Sequence, residues 1–158
     1  MSTPSESRPP RSTEAQLRRA KPFIKAMSRA NAWVFQVTGG RIGSRFPGGA
    51  PVGLLTTTGR RSGRPRTTPL IYLADGERRV LVASQAGFPR HPLWYENLVA
   101  RPEVEFRTPA GSRRYRARTA SALERSAYWP RLCAIYRDYD EYQKKTDREI
   151  PVVVLEPA

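Results

Sequence analysis

An α+β barrel is the fold class that this sequence predicts, on three observations. Between residues 52 and 84, three β-rich runs follow one another with only loops and tight turns between them, so no crossover helix is available for a parallel βαβ sheet. Helical patterns sit at the start of the chain and between later strands, as inserted helices. The run from Ile150 to Leu155 is apolar almost throughout, which implies a strand buried on both faces. At 158 residues the length fits one domain with a substantial core, and no internal repeat is present.

Taken in order, residues 1–12 are polar and proline-rich without periodicity, and are expected to form a disordered tail. Residues 13–49 are expected to form an amphipathic helix and a glycine-rich connector. Thr13-Glu14-Ala15-Gln16 has the spacing of a capping box, and Leu17, Ala20, Ile24, Met27 and Val34 recur at helical intervals. Arg18, Arg19, Lys21, Lys25 and Arg29 occupy the other faces, and Pro22 bends or restarts the helix. Such a helix either packs its apolar side on the domain or lies on an anionic membrane. The connector from Thr38 to Gly49 lacks the strand-before, helix-after setting of a dinucleotide fingerprint.

The barrel domain is expected over residues 50–158. Val52 to Thr58 reads as a first strand and Arg66 to Leu73 as a second, with Asp75-Gly76 turning into a third from Arg79 to Ser84. After a loop from Gln85 to Arg90, His91 to Ala100 reads as a short helix with Pro92 in its first turn. Val104 to Thr108 and Arg113 to Ala120 flank a turn at Pro109-Ala110-Gly111. Ser121-Ala122-Leu123-Glu124 is a capping box that opens a helical region, kinked or interrupted at Pro130 and continuing toward Lys145.

Composition narrows the function. With 28 Lys+Arg against 14 Asp+Glu, the formal charge of +14 points to an anionic partner: nucleic acid, an acidic membrane surface or a polyanionic small molecule. No helix-turn-helix spacing, zinc finger or aromatic RNP-type strand argues for nucleic acid. No apolar run approaches the roughly 20 residues of a membrane span, and the N-terminus lacks a signal core, so a cytoplasmic protein is expected. Cys133 is the single cysteine, which excludes an internal disulfide and a thiolate cluster. His91 is the single histidine, which argues against a Ser-His-Asp relay and a multi-histidine metal site; it reads as a loop or helix-start residue.

Two stretches carry chemistry. In Leu54 to Leu70 a β-branched run enters a loop with Gly59, Gly63 and the arginines 60, 61, 64 and 66, then leaves as a second strand. Guanidinium forks and closely approached backbone make this either an anion site or an exposed basic loop without a ligand. Tyr136, Tyr139 and Tyr142, spaced i, i+3, i+6, project to nearly one side of a helix. That face either packs on the barrel or forms a wall for a planar, partly polar substrate. With no metal ligands, paired acids or reactive thiol, an enzyme built on this chain would rely on a cofactor.

The run from Leu54 to Leu70, together with Val82-Ala83-Ser84, His91 to Leu98, the tyrosine triplet and Thr146 to Pro157, resembles the deazaflavin-dependent nitroreductase and quinone reductase family of actinobacteria. The resemblance implies a split β-barrel related to flavin-mononucleotide-binding proteins. It also implies hydride transfer from the reduced deazaflavin coenzyme F-420 to a quinone-like or nitroaromatic acceptor. Carried over by motif, Arg60, Arg61, Ser62 and Arg66 would hold the coenzyme's phosphate and acidic tail. Thr67, Thr68, Pro69, Leu70 and Ile71 would run beside the deazaflavin ring, and Val82, Ala83, Ser84 and Gln85 would line its other side. Leu93, Trp94, Tyr95, Glu96 and Asn97 would close the phosphate and ribityl region. Tyr136, Tyr139 and Tyr142 would form the acceptor wall, Tyr139 nearest the ring, with Ser84 a second donor to the acceptor. Gln85 stands where the family often has lysine, and Ile71 where some nitro-reducing members have an aromatic residue; both departures bear on nitroreduction more than on coenzyme binding. A lipophilic quinone would give the N-terminal helix a reason to touch the inner face of the cell membrane. A nucleic-acid-binding module and a barrel binding flavin mononucleotide are the alternatives.

Overall fold

The computed structural model describes residues 48–158 together with Ala15, Gln16, Arg18 and Arg45. Ala15, Gln16 and Arg18 are helical and exposed. The remainder of the predicted tail, amphipathic helix and connector lies outside the described residues.

Among the described residues seven strands form one antiparallel sheet: β1 (Val52–Thr58), β2 (Pro65–Ile71), β3 (Leu73–Asp75), β4 (Arg78–Val82), β5 (Glu103–Thr108), β6 (Gly111–Thr119) and β7 (Val152–Pro157). Their spatial order is β2, β1, β5, β6, β7, β4, β3. The two outermost strands are consecutive in sequence and separated by Tyr72 alone. Its N–H donates to Pro51 O at 3.1 Å, so β2 and β3 are one bent stretch that pairs with β1 by its first half and β4 by its second. This bend closes the sheet into a split barrel, and it corrects the single strand expected from Arg66 to Leu73. Gly53 is required where β1 crosses β5, because a Cβ there would overlap the ring of Phe106.

The apolar run near the end of the chain is explained by two cores on opposite faces. Leu81, Val153 and Leu155 fill the barrel interior with Leu55, Leu98, Phe106 and Tyr115. Val80, Val82, Val152 and Val154 alternate with them and lie against Tyr128, Leu132 and Tyr139 of the helices. Each large apolar side chain so buried stabilises the fold by roughly 1.5–3 kcal/mol. Ile150 is fully buried, yet it precedes β7, which begins two residues later than its hydrophobicity indicated.

Among residues 48–158 three α-helices decorate the barrel: α1 (Leu93–Ala100), α2 (Ala122–Ile135) and α3 (Asp138–Lys144). The capping box forms as predicted: Glu124 N–H donates to Ser121 Oγ at 3.2 Å, and Ser121 N–H donates to the Glu124 carboxylate at 2.8 Å. Pro130 does not end the helix. It is exposed, and so is Ser126 four residues before it, so the carbonyl left without a helical N–H lies on the solvent side. The break falls instead at Tyr136, whose extended backbone ends α2. Hence Tyr136 caps α2 while Tyr139 and Tyr142 belong to α3, and the triplet is not one continuous helical stripe.

Candidate active site

The arginine loop is built to hold its shape. Gly59 N–H donates to Arg64 O and Gly63 N–H to Gly59 O, both at 2.8 Å, and Gly63 takes the left-handed φ of 69° that closes the turn. A Cβ on Gly59 would sit 2.6 Å from Ser62 Oγ and 3.3 Å from Arg64 O, so only glycine fits. Ser62 Oγ accepts from Arg64 N–H at 3.2 Å. Farther along, the Thr56 and Thr67 hydroxyls bond across β1 and β2 at 2.8 Å.

Helix α1 fixes the loop from the side. Buried Asn97 accepts Arg60 N–H at 3.1 Å and donates to Thr57 Oγ1 at 3.2 Å, while Glu96 pairs with the Arg60 guanidinium at 2.7 Å. Between loop and helix opens a cleft of about 400 Å³. Eight predicted residues meet there: Arg60, Arg61, Ser62, Arg66, Gln85, Leu93, Glu96 and Asn97. Gly59, Arg90 and His91 complete it. Arg90 and His91, which the sequence marks only as loop and helix-start residues, thus belong to the cleft.

Not every predicted residue reaches this cleft. Trp94 is buried in the barrel core, with Ala83 beside it in the same cluster, and Tyr95 directs its hydroxyl to Thr119 Oγ1 at 2.8 Å. Val82 is buried on the helix side of the sheet. Thr67, Thr68, Pro69, Leu70 and Ile71 lie on β2, which ends the strand order; one backbone edge pairs with β1 and no strand among the described residues covers the other. A strand edge of this kind can pair with a flat heterocycle's donors and acceptors.

The turn from Ser84 to His91 joins cleft and tyrosines. Gln85 and Ala86 carry φ of 44° and 53°, a left-handed conformation strained for residues with a Cβ. Arg148 holds the turn in place, donating to Ala83 O (3.2 Å), Ser84 O (2.7 Å) and Phe88 O (2.9 Å), and to His91 Nδ1 (3.1 Å). On its other side, Gly87 packs against Tyr142 of α3.

Tyr136 and Tyr142 share a hydroxyl–hydroxyl hydrogen bond of 2.9 Å, and the Tyr136 and Tyr139 rings meet edge-on at 4.9 Å. Tyr139 is only 4% exposed and packs with Val80, Val82 and Val152. Burial raises the phenols of Tyr136 and Tyr139 above their usual range, with Tyr142 a further cause for both, so they stay protonated at neutral pH and can act only as donors or as acceptors through oxygen. Burial likewise pushes the Cys133 thiol up to about 11, which leaves it a poor nucleophile.

Residues 27–157 match the family model described as F420H(2)-dependent quinone reductase. The chain belongs to this family. An F420H(2)-dependent quinone reductase of Mycobacterium tuberculosis is 42% identical over 127 residues, which span 77% of this chain and 84% of the relative. The solved structure of the F420-H2 dependent reductase FDR-A superposes with a TM-score of 0.63 at 39% identity, covering 67% of this reductase and 94% of FDR-A. Another solved structure, described as a domain-swapped dimer, matches with the same TM-score at 35% identity over 80% of this chain and 99% of its own. The reductase is therefore an oxidoreductase whose cofactor is reduced coenzyme F-420, on the split-barrel fold of flavin-mononucleotide-binding proteins. The cleft fits such a group: clustered arginines suit its phosphate and carboxylates, and Gly59, where a Cβ would collide with Ser62 and Arg64, lets the loop close tightly enough to bring them together. Among the described residues no helix is long and apolar enough to cross a membrane.

Proposed function

We propose that this reductase carries a hydride from reduced coenzyme F-420 to a quinone-like acceptor, and that the cleft between the arginine loop and α1 binds the coenzyme's anionic side. The observation that carries this reading is the pinning of Arg60. Its backbone is held by Asn97 and its guanidinium by Glu96, so the loop is ordered at the mouth of a cleft that Arg61 and Arg66 also line. Such preorganisation suits ligand binding, because less side-chain freedom is lost on association.

In this reading Arg60, Arg61, Ser62 and Arg66 bind phosphate and carboxylate oxygens. The open edge of β2 from Thr67 to Ile71 orients the ring. Ser84 and Gln85 bound it on the far side, and Leu93, Glu96 and Asn97 close the ribityl region. When bound, the reduced coenzyme supplies the hydride. Tyr136 and Tyr142 hold hydroxyl protons at the acceptor side, and Ser84 offers another; one such donor at a quinone oxygen stabilises the charge that develops there. Tyr139, buried behind them, supports the wall through its ring. A nitroaromatic acceptor remains the narrower option. The positively charged segment N-terminal to the barrel is the part of the chain we assign to contact with an anionic membrane.

Titration of the purified protein with oxidised coenzyme F-420 tests the reading. Binding in the micromolar range and oxidation of the reduced coenzyme by menadione are expected. No binding, or binding without turnover of menadione, would overturn it. A yellow protein with flavin-type absorption would instead favour flavin mononucleotide.

A further inference from the structure

The sole histidine of the chain lies in the cleft beside an arginine that already donates to three backbone carbonyls. Arg148 spends Nε on Phe88 O, Nη2 on Ser84 O and Nη1 on Ala83 O, and Nη1 also lies 3.1 Å from His91 Nδ1. A guanidinium has donors and no acceptor, so the Nδ1 facing it must offer a lone pair. In a neutral imidazole the proton then resides on Nε2. The ring is steadied by Tyr95, whose centroid lies 4.9 Å away. Burial first, and Arg148 second, lower the imidazole pKa against the opposing pull of Glu96, so the ring is neutral at pH 7.

We propose that His91 is a neutral hydrogen-bond donor of the anion cleft, presenting Nε2–H to an anionic ligand oxygen while Arg148 fixes the tautomer from behind. The inference rests on the cleft being the coenzyme site described above. It gives Arg148 the role of a positioning residue that does not itself touch the ligand. The cleft already holds the guanidinium groups of Arg60, Arg61, Arg66 and Arg90. A neutral donor adds directional selectivity for an oxygen without adding charge.

Because His91 is the only histidine, its ring nitrogens give unambiguous signals in a long-range proton–nitrogen NMR correlation on protein labelled at histidine. At pH 7.5 Nδ1 is expected at the shift of an unprotonated nitrogen and Nε2 at that of a protonated one. Saturating coenzyme F-420, or inorganic phosphate, is expected to move Nε2 with Nδ1 nearly still. A proton found on Nδ1, or an Nε2 that neither probe moves, would overturn the proposal. Should phosphate move Nε2 while the coenzyme does not bind, the His91 assignment stands and the coenzyme reading of the cleft fails. Two variants separate the cleft role from a structural one. In His91→Gln the amide nitrogen takes the place of Nε2, and in His91→Asn the amide oxygen takes the place of Nδ1. Coenzyme Kd is expected to rise by no more than about threefold in His91→Gln and by about tenfold in His91→Asn, the loss of one hydrogen bond to a charged group. The reverse ranking would show that His91 matters only as the partner of Arg148.

Discussion

Replacing Asn97 should uncouple how firmly the arginine loop is held from how well it binds. The side chain is 7% exposed and makes two hydrogen bonds, accepting from Arg60 N–H at 3.1 Å and donating to Thr57 Oγ1 at 3.2 Å. Each is worth roughly 0.5–1.5 kcal/mol net, and leaving the partly buried Arg60 amide unsatisfied adds to the cost, so Asn97→Ala should lose about 2–3 kcal/mol. With a urea dependence of roughly 1–3 kcal/mol per molar, the unfolding midpoint should fall by about 0.7–3 M. Coenzyme affinity should fall with it, because Arg60 is no longer held at the cleft mouth. Asn97→Asp keeps an acceptor for Arg60 but loses the donor to Thr57 and places a negative charge where an anion is to bind. It should lose less stability than Asn97→Ala and more affinity. Urea unfolding followed by tryptophan fluorescence, with calorimetric titration of oxidised coenzyme, measures both. An Asn97→Ala midpoint within about 0.3 M of wild type with unchanged affinity would refute the assignment of Asn97 as the loop's anchor.

Two further outcomes follow from particular contacts. Gly87 has φ of 76°, and a Cβ there would stand 2.5 Å from Tyr142 O, so Gly87→Ala should cost about 2–4 kcal/mol in urea unfolding and weaken acceptor turnover by displacing α3; a fully stable variant would mean that α3 is not fixed by this turn. Hydrogen bonds from Arg118 and then from the Ser121 amide hold the Glu124 carboxyl down to about 2 from 4.5. Its folded pKa therefore lies below its unfolded one, and the stability it contributes is fully present above about pH 4.5 and lost as pH falls toward 2. Thermal midpoints of wild type and Arg118→Met should converge across that window, and parallel curves would exclude the effect.

Local chemistry made much of the barrel legible. Val52 to Thr58 was bounded to the residue because an apolar and then β-branched run lies between Pro51 and Gly59, and Ser121 and Glu124 announced their own capping box. The arginine loop was readable because glycine spacing and charge lie within a few residues of one another. What escaped depends on distant partners. His91 and Arg148 are 57 residues apart, and nothing local marks an imidazole whose tautomer is set across the fold. Pro130 looked like a helix breaker since propensity is silent about which face of α2 meets water. The bend at Tyr72 was hidden for a similar reason: Leu73 continues the β-rich pattern of β2 but pairs with Val80, on the opposite side of the strand order.

The position of β7 has a consequence for biosynthesis. It lies between β6 and β4 in the interior of the sheet, although every other strand precedes it in sequence. While the polypeptide emerges from the ribosome, β6 and β4 therefore expose unpaired edges until residues 152–157 arrive, and such edges are templates for association between nascent chains. A stop codon anywhere before Val152 would make that transient condition permanent. Chaperone dependence and insolubility of such truncated products should then exceed what the loss of a few surface residues would cause.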